Sequence, residues 1–237
     1  MGTVAVRLLI VEDDDRIRAS LRLALEDEGY DITEAADAES ALRMVARDGP
    51  PEVMIVDLML GGMDGFTCIR HVRQYSDVPI IVVSARVDTH DVVAALEAGA
   101  DDYVTKPFEV KEITARLRAL RRRAANGHSG APRELVLDSG GDDPLVLSAG
   151  AGTVRRGERR LHLTLTEFRL LCELADEPGR VLSRQALLTR VWDRGFFGDE
   201  RIVDVHVRRL RTKIERDPSD PTVVVTVRGL GYRLDIQ

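Results

Sequence analysis

The sequence predicts a doubly wound α/β domain with a five-stranded parallel sheet, followed by a smaller domain of short strands and three helices. Three observations support this prediction. In the first half, short apolar runs alternate five times with segments of helical periodicity, which is typical of a parallel sheet covered by helices. Residues 124–132 then lose periodicity and contain Gly, Ser, Asn and Pro, as in a flexible linker. The second half ends in a helical segment and two β-prone runs around a glycine-rich turn.

Five strand–helix units account for residues 7–123. Apolar residues at helical spacing, such as Ile17, Leu21 and Leu25, follow the first predicted strand, and Gly29 is a typical helix end. The third run has no polar residue, as expected for a strand buried on both faces of a sheet. The predicted strands are 7–11, a short run from Ile32, 53–56, 79–84 and 103–105, and the last predicted helix spans roughly 109–123.

Length and composition indicate an ordinary globular protein. The chain has 237 residues, of which 44% are hydrophobic and 31% charged, and this length suggests one large domain or two domains of ordinary size. No apolar stretch approaches the roughly 20 residues that span a bilayer, and the N-terminus shows no basic segment with a cleavable apolar core. We therefore expect a cytoplasmic protein without membrane contact. Cys68 and Cys172 lack metal-ligand spacing, so both are interpreted as small buried hydrophobic residues.

Charge is distributed unevenly along the chain. The net charge is −6, but residues 1–123 carry 16 Lys/Arg against 23 Asp/Glu, whereas residues 124–237 carry 18 against 17. Six Lys/Arg and only two acids fall within 201–216. The overall acidity therefore hides a local basic block, which is the feature relevant to an acidic partner such as nucleic acid.

Polar side chains stand at the ends of the predicted strands. Glu12 and Asp13 follow the first strand, and Asp57 follows the third. Ser84 and Lys106 end the fourth and fifth strands. Because the carboxyl ends of parallel strands meet at one edge of a sheet, we expect these five side chains to converge. Grouped carboxylates repel unless a cation lies between them, and oxygen ligands favour Mg²⁺. A lysine and a hydroxyl beside it would neutralise a phosphoryl group on the central aspartate.

An alternative interpretation is that acidic strand ends are ordinary solvated surface. We prefer this alternative for Asp14 and Asp15. Apolar residues on both sides of Asp57 argue against it there, because they imply burial of a carboxylate that then needs a partner.

Residues 7–123 resemble a receiver domain of two-component response regulators, which has a flavodoxin-like fold. The resemblance rests on the acid pair Glu12-Asp13, on Asp57, on Ser84-Ala85, and on Tyr103 with Lys106-Pro107-Phe108. It implies that Asp57 accepts phosphate from a sensor histidine kinase, with Lys106 and Ser84 beside the phosphate. Ser84 and Tyr103 resemble the pair of switch residues that reports phosphorylation.

The resemblance also implies a metal site. Glu12 and Asp13 would hold Mg²⁺ together with Asp57, Asp13 more directly than Glu12. Met59 would supply a backbone carbonyl. One departure lies nearby, because Gly61 stands where the family usually has proline. We therefore expect a looser loop after the phosphoacceptor.

The last two helices of this domain resemble the face through which such regulators dimerise. The charged residues that fit the pattern are Glu97 with Arg118, Asp101 with Arg116, and Glu112. Val92 replaces the basic residue that usually faces the last of these acids. One cross-subunit pair is therefore missing, which predicts a weaker homodimer of unchanged geometry. The alternative is that these charges are solvated helix faces.

The second half begins after Arg121-Arg122-Arg123 and the linker. Four β-prone runs come first, then a helix capped by Thr164 or Thr166, and then a helix capped by Ser183. Residues 193–199, with Phe196 and Phe197, form a predicted loop. The β-prone runs are 134–137, 144–147, 152–155 and 161–163, and two later runs, 223–227 and 232–236, predict a hairpin.

A third helix in this half spans about 200–216. It carries one apolar stripe and a set of bases on its other faces, and a basic amphipathic helix before a β-hairpin is typical of a winged helix that reads the major groove. Arg228 at the hairpin tip suits a phosphate or the minor groove. A solvated basic face is the alternative. The stripe consists of Val203, Val207, Leu210 and Ile214.

Residues 133–237 resemble the winged-helix output domain of OmpR/PhoB-type regulators. The motifs that carry the resemblance are 165–168, 203–211 and 226–232. The resemblance implies base contacts from Ile202, Val205 and Arg209, and phosphate contacts from Arg201, His206, Arg208 and Arg211. Ile202 departs from the small hydroxyl residue common there. His206 has no second ligand at metal-binding spacing, so a metal role is not expected.

These features predict a response regulator rather than an enzyme. It would be phosphorylated by a histidine kinase, dimerise, and bind promoter DNA to regulate transcription, with RNA polymerase as a further partner. The predicted domains are 1–123 (receiver), 124–132 (linker) and 133–237 (DNA-binding). One rival is a Mg²⁺-dependent aspartyl-phosphate phosphatase, but that class has a second aspartate where this chain has Met59. A phosphate-independent DNA binder is another rival, and the full acid set with Lys106 argues against it.

Overall fold

The computed structural model describes residues 5–125, 134–192 and 200–237, with the backbone alone for 118–125. The chain forms two compact units, Met1–Arg118 and Ala119–Gln237. Most of the predicted linker and the predicted loop at 193–199 lie outside the described residues. No helix within the described ranges is long and apolar enough to cross a membrane.

The first unit is the predicted five-stranded parallel sheet with flanking helices. The strand order is β2-β1-β3-β4-β5, and every neighbouring pair is parallel. All four residues of the central strand are buried, and each such side chain stabilises the fold by about 1.5–3 kcal/mol. The elements are β1 (Val6–Val11), α1 (Asp15–Asp27), β2 (Tyr30–Ala35), α2 (Ala38–Asp48), β3 (Val53–Val56), α3 (Gly65–Arg73), β4 (Ile80–Ser84), α4 (Thr89–Ala98), β5 (Asp102–Thr105) and α5 (Val110–Ala125).

Within residues 134–192 and 200–237, the second unit contains two antiparallel sheets and three helices, as predicted for a winged-helix domain. The four-stranded sheet has the order β6-β7-β8-β9, and the three-stranded sheet has the order β10-β12-β11. Strand β10 was not predicted, because two residues are too short to show alternation. The elements are β6 (Glu134–Asp138), β7 (Leu145–Ser148), β8 (Thr153–Arg156), β9 (Arg159–Leu161), α6 (Leu165–Ala175), β10 (Val181–Leu182), α7 (Arg184–Trp192), α8 (Arg201–Ile214), β11 (Val224–Val227) and β12 (Gly231–Leu234).

Side-chain caps fix where several helices begin. The Asp14 carboxylate accepts hydrogen bonds from the backbone N–H groups of Arg16 and Ile17, at 2.8 and 3.0 Å, and these bonds lower its pKa. Thr164 starts α6 through a capping box with Glu167, which decides between the two predicted caps. Asp14 therefore caps helix α1 at the surface, consistent with its interpretation as an ordinary solvated acid.

Two glycines permit close backbone contacts. A Cβ atom at Gly65 would overlap the carbonyl oxygen of Asp57, so the start of α3 lies against the end of β3 only because this residue is glycine. A Cβ atom at Gly231, where φ is 142°, would overlap the carbonyl oxygen of Leu182. That contact lies where β10 pairs with β12. Both glycines therefore permit two backbone segments to approach more closely than a residue with a Cβ atom would allow.

The two cysteines are buried and unpaired with each other, as predicted. Burial raises the pKa of the Cys68 thiol to about 11 and that of the Cys172 thiol to about 12. Both thiols therefore stay protonated at neutral pH and contribute to packing.

Candidate functional site

The carboxyl edge of the parallel sheet collects the predicted acidic residues. Glu12, Asp13 and Asp57 each offer a carboxylate oxygen, and these atoms lie within 4.8 Å of one another. Glu12 and Asp57 are buried, whereas Asp13 is exposed. Two buried carboxylates at one edge require a positive partner.

Lys106 supplies that positive charge. Its Nζ donates to Asp57 Oδ2 at 2.6 Å and to both carboxylate oxygens of Glu12 at 2.8 and 3.0 Å. Burial raises the pKa of Glu12 despite these bonds. Burial also lowers the pKa of Lys106, but its hydrogen bonds to Asp57 and Glu12 outweigh that effect and raise the pKa overall. A charged ammonium therefore bridges two carboxylates at the centre of the site.

The loop after β3 orients the central aspartate. The Met59 N–H donates to Asp57 Oδ1 at 3.0 Å, so both carboxylate oxygens of Asp57 have partners. Glu39 on α2 holds the far side of the loop, because its Oε1 accepts from the Met63 N–H at 3.2 Å. Glu39 could not be predicted from the sequence, since nothing in its local pattern distinguishes it from a solvated helix residue. A Cβ at Gly61 would meet no atom within 4 Å.

The predicted switch residues share a backbone partner. Ser84 is fully buried, and its Oγ accepts from the Arg86 N–H at 3.4 Å. The Tyr103 hydroxyl donates to the Arg86 carbonyl at 2.6 Å, and burial raises the pKa of this phenol. The Arg86 guanidinium binds Asp91 at 2.9 Å. The two side chains are thus joined through one residue of the β4–α4 connection.

The predicted dimer pair of Asp101 and Arg116 is wrong as a pair of exposed charges. Asp101 is fully buried, and its Oδ2 accepts from Arg73 at 2.8 Å and from the Ile80 N–H at 3.0 Å. Arg116 binds Asp102 at 2.8 Å. The two acids are consecutive and both are buried, Asp101 against Arg73 and Asp102 against Arg116.

The other residues of that face are only partly described. Arg116 also binds Glu112 at 2.7 Å within helix α5. Glu97 is exposed and Val92 is half-buried. The side chain of Arg118 lies outside the described residues.

Helix α8 confirms the predicted apolar stripe but is buried over a wider arc than predicted. Ile202 and Val205 are buried, and His206 has no exposed surface. These three side chains expose little or no surface in this structure, and the DNA contacts expected for them stay predictions. They are buried because α6 and α7 both pack against this helix, and the His206 ring lies 5.2 Å from that of Trp192.

Two of the arginines predicted to contact DNA bind groups within the output domain. Arg209 binds the buried carboxylate of Glu167 at 2.9 Å, and its side chain is only 13% exposed. Arg211 donates to the Val224 carbonyl and to the Thr226 hydroxyl, which join α8 to β11. Arg209 is thus engaged within the domain in this structure, and its contact with a base edge stays a prediction.

The remaining basic residues lie at the surface. Arg201 and Arg208 are exposed on α8, seven residues apart and hence on one face, and Arg228 is exposed at the tip of the β11–β12 hairpin. These positions match a helix-and-wing nucleic-acid surface. The acidic cluster and this surface lie in different units of the chain.

Comparison with known proteins assigns both units. Residues 8–118 match the response regulator receiver domain family, and residues 157–234 match the family described as transcriptional regulatory protein, C terminal. The chain is 46% identical over 228 residues to the transcriptional regulatory protein AfsQ1 of Streptomyces coelicolor, covering 96% of this chain and 97% of that one. It is 43% identical over 233 residues to the DNA-binding response regulator MtrA of Mycobacterium tuberculosis, covering 98% of each.

A solved structure gives the same result. The response regulator DrrB of Thermotoga maritima, an OmpR/PhoB homologue, is 29% identical with a TM-score of 0.52 and covers 98% of this chain and 100% of that one. The matches to AfsQ1 and MtrA extend over nearly the whole length of this chain and include both units. The chain therefore belongs to the OmpR/PhoB-type response regulators, two-component proteins whose receiver domain is joined to a transcriptional output domain that acts on DNA.

Proposed function

We propose that Asp57 is the phosphoacceptor, that a sensor histidine kinase is the donor, and that phosphorylation controls binding to promoter DNA. The observation that carries this proposal is the bridge from Lys106 to Asp57 and Glu12. A lysine held within 2.6 Å of the acceptor can pair with a phosphoryl oxygen once the carboxylate carries the group. Glu12, the other carboxylate that Lys106 binds, would then be available to a second cation such as Mg²⁺.

Mg²⁺ fits the residues at this edge. The three carboxylates of Glu12, Asp13 and Asp57 form an all-oxygen donor set, which suits a hard cation that also takes water and phosphate ligands. When bound, Mg²⁺ would neutralise charge on the transferring phosphoryl group. The backbone carbonyl of Met59 is proposed as a further ligand.

The proposed transfer is a substitution at phosphorus. A carboxylate oxygen of Asp57 forms the new P–O bond while the P–N bond of the kinase phosphohistidine breaks, and the histidine leaves as a neutral imidazole after taking up a proton. The Met59 N–H orients the carboxylate by its bond to Oδ1. Lys106 balances the negative charge that the acceptor gains.

The proposed switch follows from the contacts of Arg86. Ser84 and Tyr103 both bond to its backbone, one to the N–H and the other to the carbonyl. If the Ser84 hydroxyl turns to a phosphoryl oxygen, its bond to the Arg86 N–H is lost. The β4–α4 connection and the Tyr103 side chain would then shift together, which carries the signal towards α4.

Phosphoryl uptake can be tested directly. The full chain is incubated with acetyl phosphate and Mg²⁺, and the intact mass is measured. Asp57→Asn keeps the shape of the side chain but removes the nucleophile, so it should gain no phosphoryl group. Asp31→Asn, at an exposed position of β2, is the matched control and should react like the parent chain. Equal uptake by Asp57→Asn and the parent chain would refute the assignment.

The proposed DNA surface is the exposed side of α8 with the hairpin tip. Arg201 and Arg208 would lie along the groove, and Arg228 would contact a phosphate outside it. Promoter DNA and RNA polymerase are the proposed partners, and the cytoplasm is the proposed location. The proposed domain limits remain 1–123, 124–132 and 133–237.

We also propose a homodimer through α4 and α5 that strengthens on phosphorylation. An exposed ion pair such as Glu97 with Arg118 stabilises by only about 0.2–1 kcal/mol, so packing must supply the rest. Sedimentation equilibrium with beryllofluoride measures the activated dimer. Arg118→Glu should weaken it, and adding Glu97→Arg should restore part of the loss, because two-fold symmetry repeats the swapped pair. A double variant no better than the single one would exclude this interface.

A further inference from the structure

The exposed face of α8 carries one acid among its bases. Arg201, Asp204, Arg208 and Thr212 are spaced at i, i+3, i+7 and i+11, which places them on one side of a helix. Arg201, Arg208 and Thr212 are exposed, and the Asp204 side chain is 41% exposed. A carboxylate on a surface that meets phosphates weakens binding by charge repulsion unless it makes a favourable contact of its own.

The Asp204 carboxylate is held by one oxygen. Its Oδ1 accepts from the Tyr232 hydroxyl at 2.6 Å and from Arg184 Nε at 2.7 Å. Within the described parts of the chain, its Oδ2 accepts no hydrogen bond. The side chain is therefore fixed in direction, with one acceptor oxygen left for a ligand.

The two holding groups come from different elements. Tyr232 belongs to β12 and is buried, and burial together with the bond to Asp204 raises its pKa to about 12. The phenol is thus a donor throughout the neutral range. Arg184 at the start of α7 lies 5.1 Å above the Tyr232 ring, and Arg211 lies 5.6 Å from it. Gly231 fixes the backbone beside the ring, so the group that aims Asp204 has little freedom.

We infer that Asp204 selects cytosine at one position of the DNA site, with Oδ2 accepting the N4 amino group in the major groove. The inference rests on the proposed DNA surface. A carboxylate can only accept, so it fits the cytosine amino donor. It is repelled by guanine N7 and O6 and by thymine O4, and adenine presents N7 beside its amino group. Tyr232 is assigned as the positioning residue for Asp204.

The test is selection of binding sites from randomised duplex DNA by the full chain with acetyl phosphate and Mg²⁺. We expect the parent chain to enrich cytosine at one position by about 5- to 150-fold over other bases, the range for one good base contact. Asp204→Asn should shift that position towards adenine, because an amide matches adenine N6 and N7. Tyr232→Phe should weaken the cytosine preference at the same position and leave the others unchanged. Asp142→Asn, an exposed acid between β6 and β7, makes the same change of charge and should leave every position unchanged.

A change in the DNA removes any dependence on how well a variant folds. Replacing the selected cytosine by 2-pyrimidinone deletes only its amino group. Binding by the parent chain should fall by the same factor as the measured base preference, and binding by Asp204→Ala should not respond. Identical selected sites for the parent chain and Asp204→Asn would overturn the inference while the proposed function stands. If the parent chain enriches no sequence, the proposed function fails and the inference fails with it.

Discussion

The buried pair of Arg73 and Asp101 provides a sharp test of how the receiver domain is built. The Arg73 guanidinium donates to Asp101 at 2.8 Å and to the carbonyls of Gly99, Ser76 and Val78 at 2.9, 3.1 and 2.5 Å. Those carbonyls lie just after α4 and in the segment that leads into β4. One cation thus ties α3 to its two neighbours, while its carboxylate partner has no exposed surface.

The expected cost follows from which partner is lost. Arg73→Met removes the cation and leaves a buried carboxylate unpaired, which should lower the free energy of unfolding by about 3–5 kcal/mol. Asp101→Asn keeps an acceptor of the same shape and loses the charge, so a cost of about 1.5–3 kcal/mol is expected. The double variant should cost less than the sum, because the two residues are in direct contact.

Urea unfolding can separate the two domains. The chain has a single tryptophan, Trp192, which lies in α7 of the output domain. Its fluorescence should therefore report that domain and stay unchanged in both variants, whereas far-ultraviolet circular dichroism should show the earlier transition of the receiver domain. The reasoning fails if Asp101→Asn shifts receiver stability by less than about 0.5 kcal/mol yet weakens the activated dimer. That outcome would return Asp101 to the dimer face.

Three further outcomes are expected. Gly65→Ala should destabilise the receiver domain by about 1–3 kcal/mol through overlap with the preceding strand and slow phosphorylation by acetyl phosphate. Gly61→Ala, where space is open, should change the stability measured in urea by no more than about 1 kcal/mol. Equal effects of the two variants would contradict the steric argument. Arg209→Ala should lower the free energy of unfolding of the output domain by about 1.5–3 kcal/mol and leave base preference unchanged. Arg228→Ala should reduce the slope of log K against log salt by about one. Loss of a base preference in Arg209→Ala would instead support the predicted contact of Arg209 with a base edge. Because the folded pKa of Tyr232 is raised from 10.0 to about 12, its contribution to stability is complete below pH 10 and is lost as pH rises towards 12. Tyr232→Phe should therefore abolish that part of the stability loss at alkaline pH, measured by urea unfolding. An unchanged alkaline profile would exclude this contribution of Tyr232.

The acidic cluster with Lys106 could be predicted because its geometry follows from topology. Once the strands are known to be parallel, residues at their carboxyl ends must meet at one edge, and Glu12, Asp57 and Lys106 do so. The run 53–56 shows burial directly in its composition. Glu39 escaped prediction because its contact to the loop after β3 joins residues 24 positions apart, and no periodic pattern encodes such a contact.

The dimer pair was misassigned for a different physical reason. Asp101 and Asp102 are chemically identical in sequence, and both are buried in the fold. Which cation each of them binds depends on the packed structure, since Asp101 binds Arg73, 28 residues away in sequence, and Asp102 binds Arg116. Charge patterns alone therefore identify the acids but not their partners.

Helix α8 shows the same limit for cations. Its sequence offers five Lys/Arg, and all of them look equally suited to DNA. In the folded domain Arg209 and Lys213 both bind the buried carboxylate of Glu167, and Arg211 binds β11. A buried acid on α6 thus draws two bases out of the set that reaches solvent. The exposed bases are those whose helical positions face away from α6 and the hairpin, and they can be identified only after α6 has been placed against α8. The same geometry puts Asp204 on the proposed DNA-binding side, which a search for basic residues alone would miss.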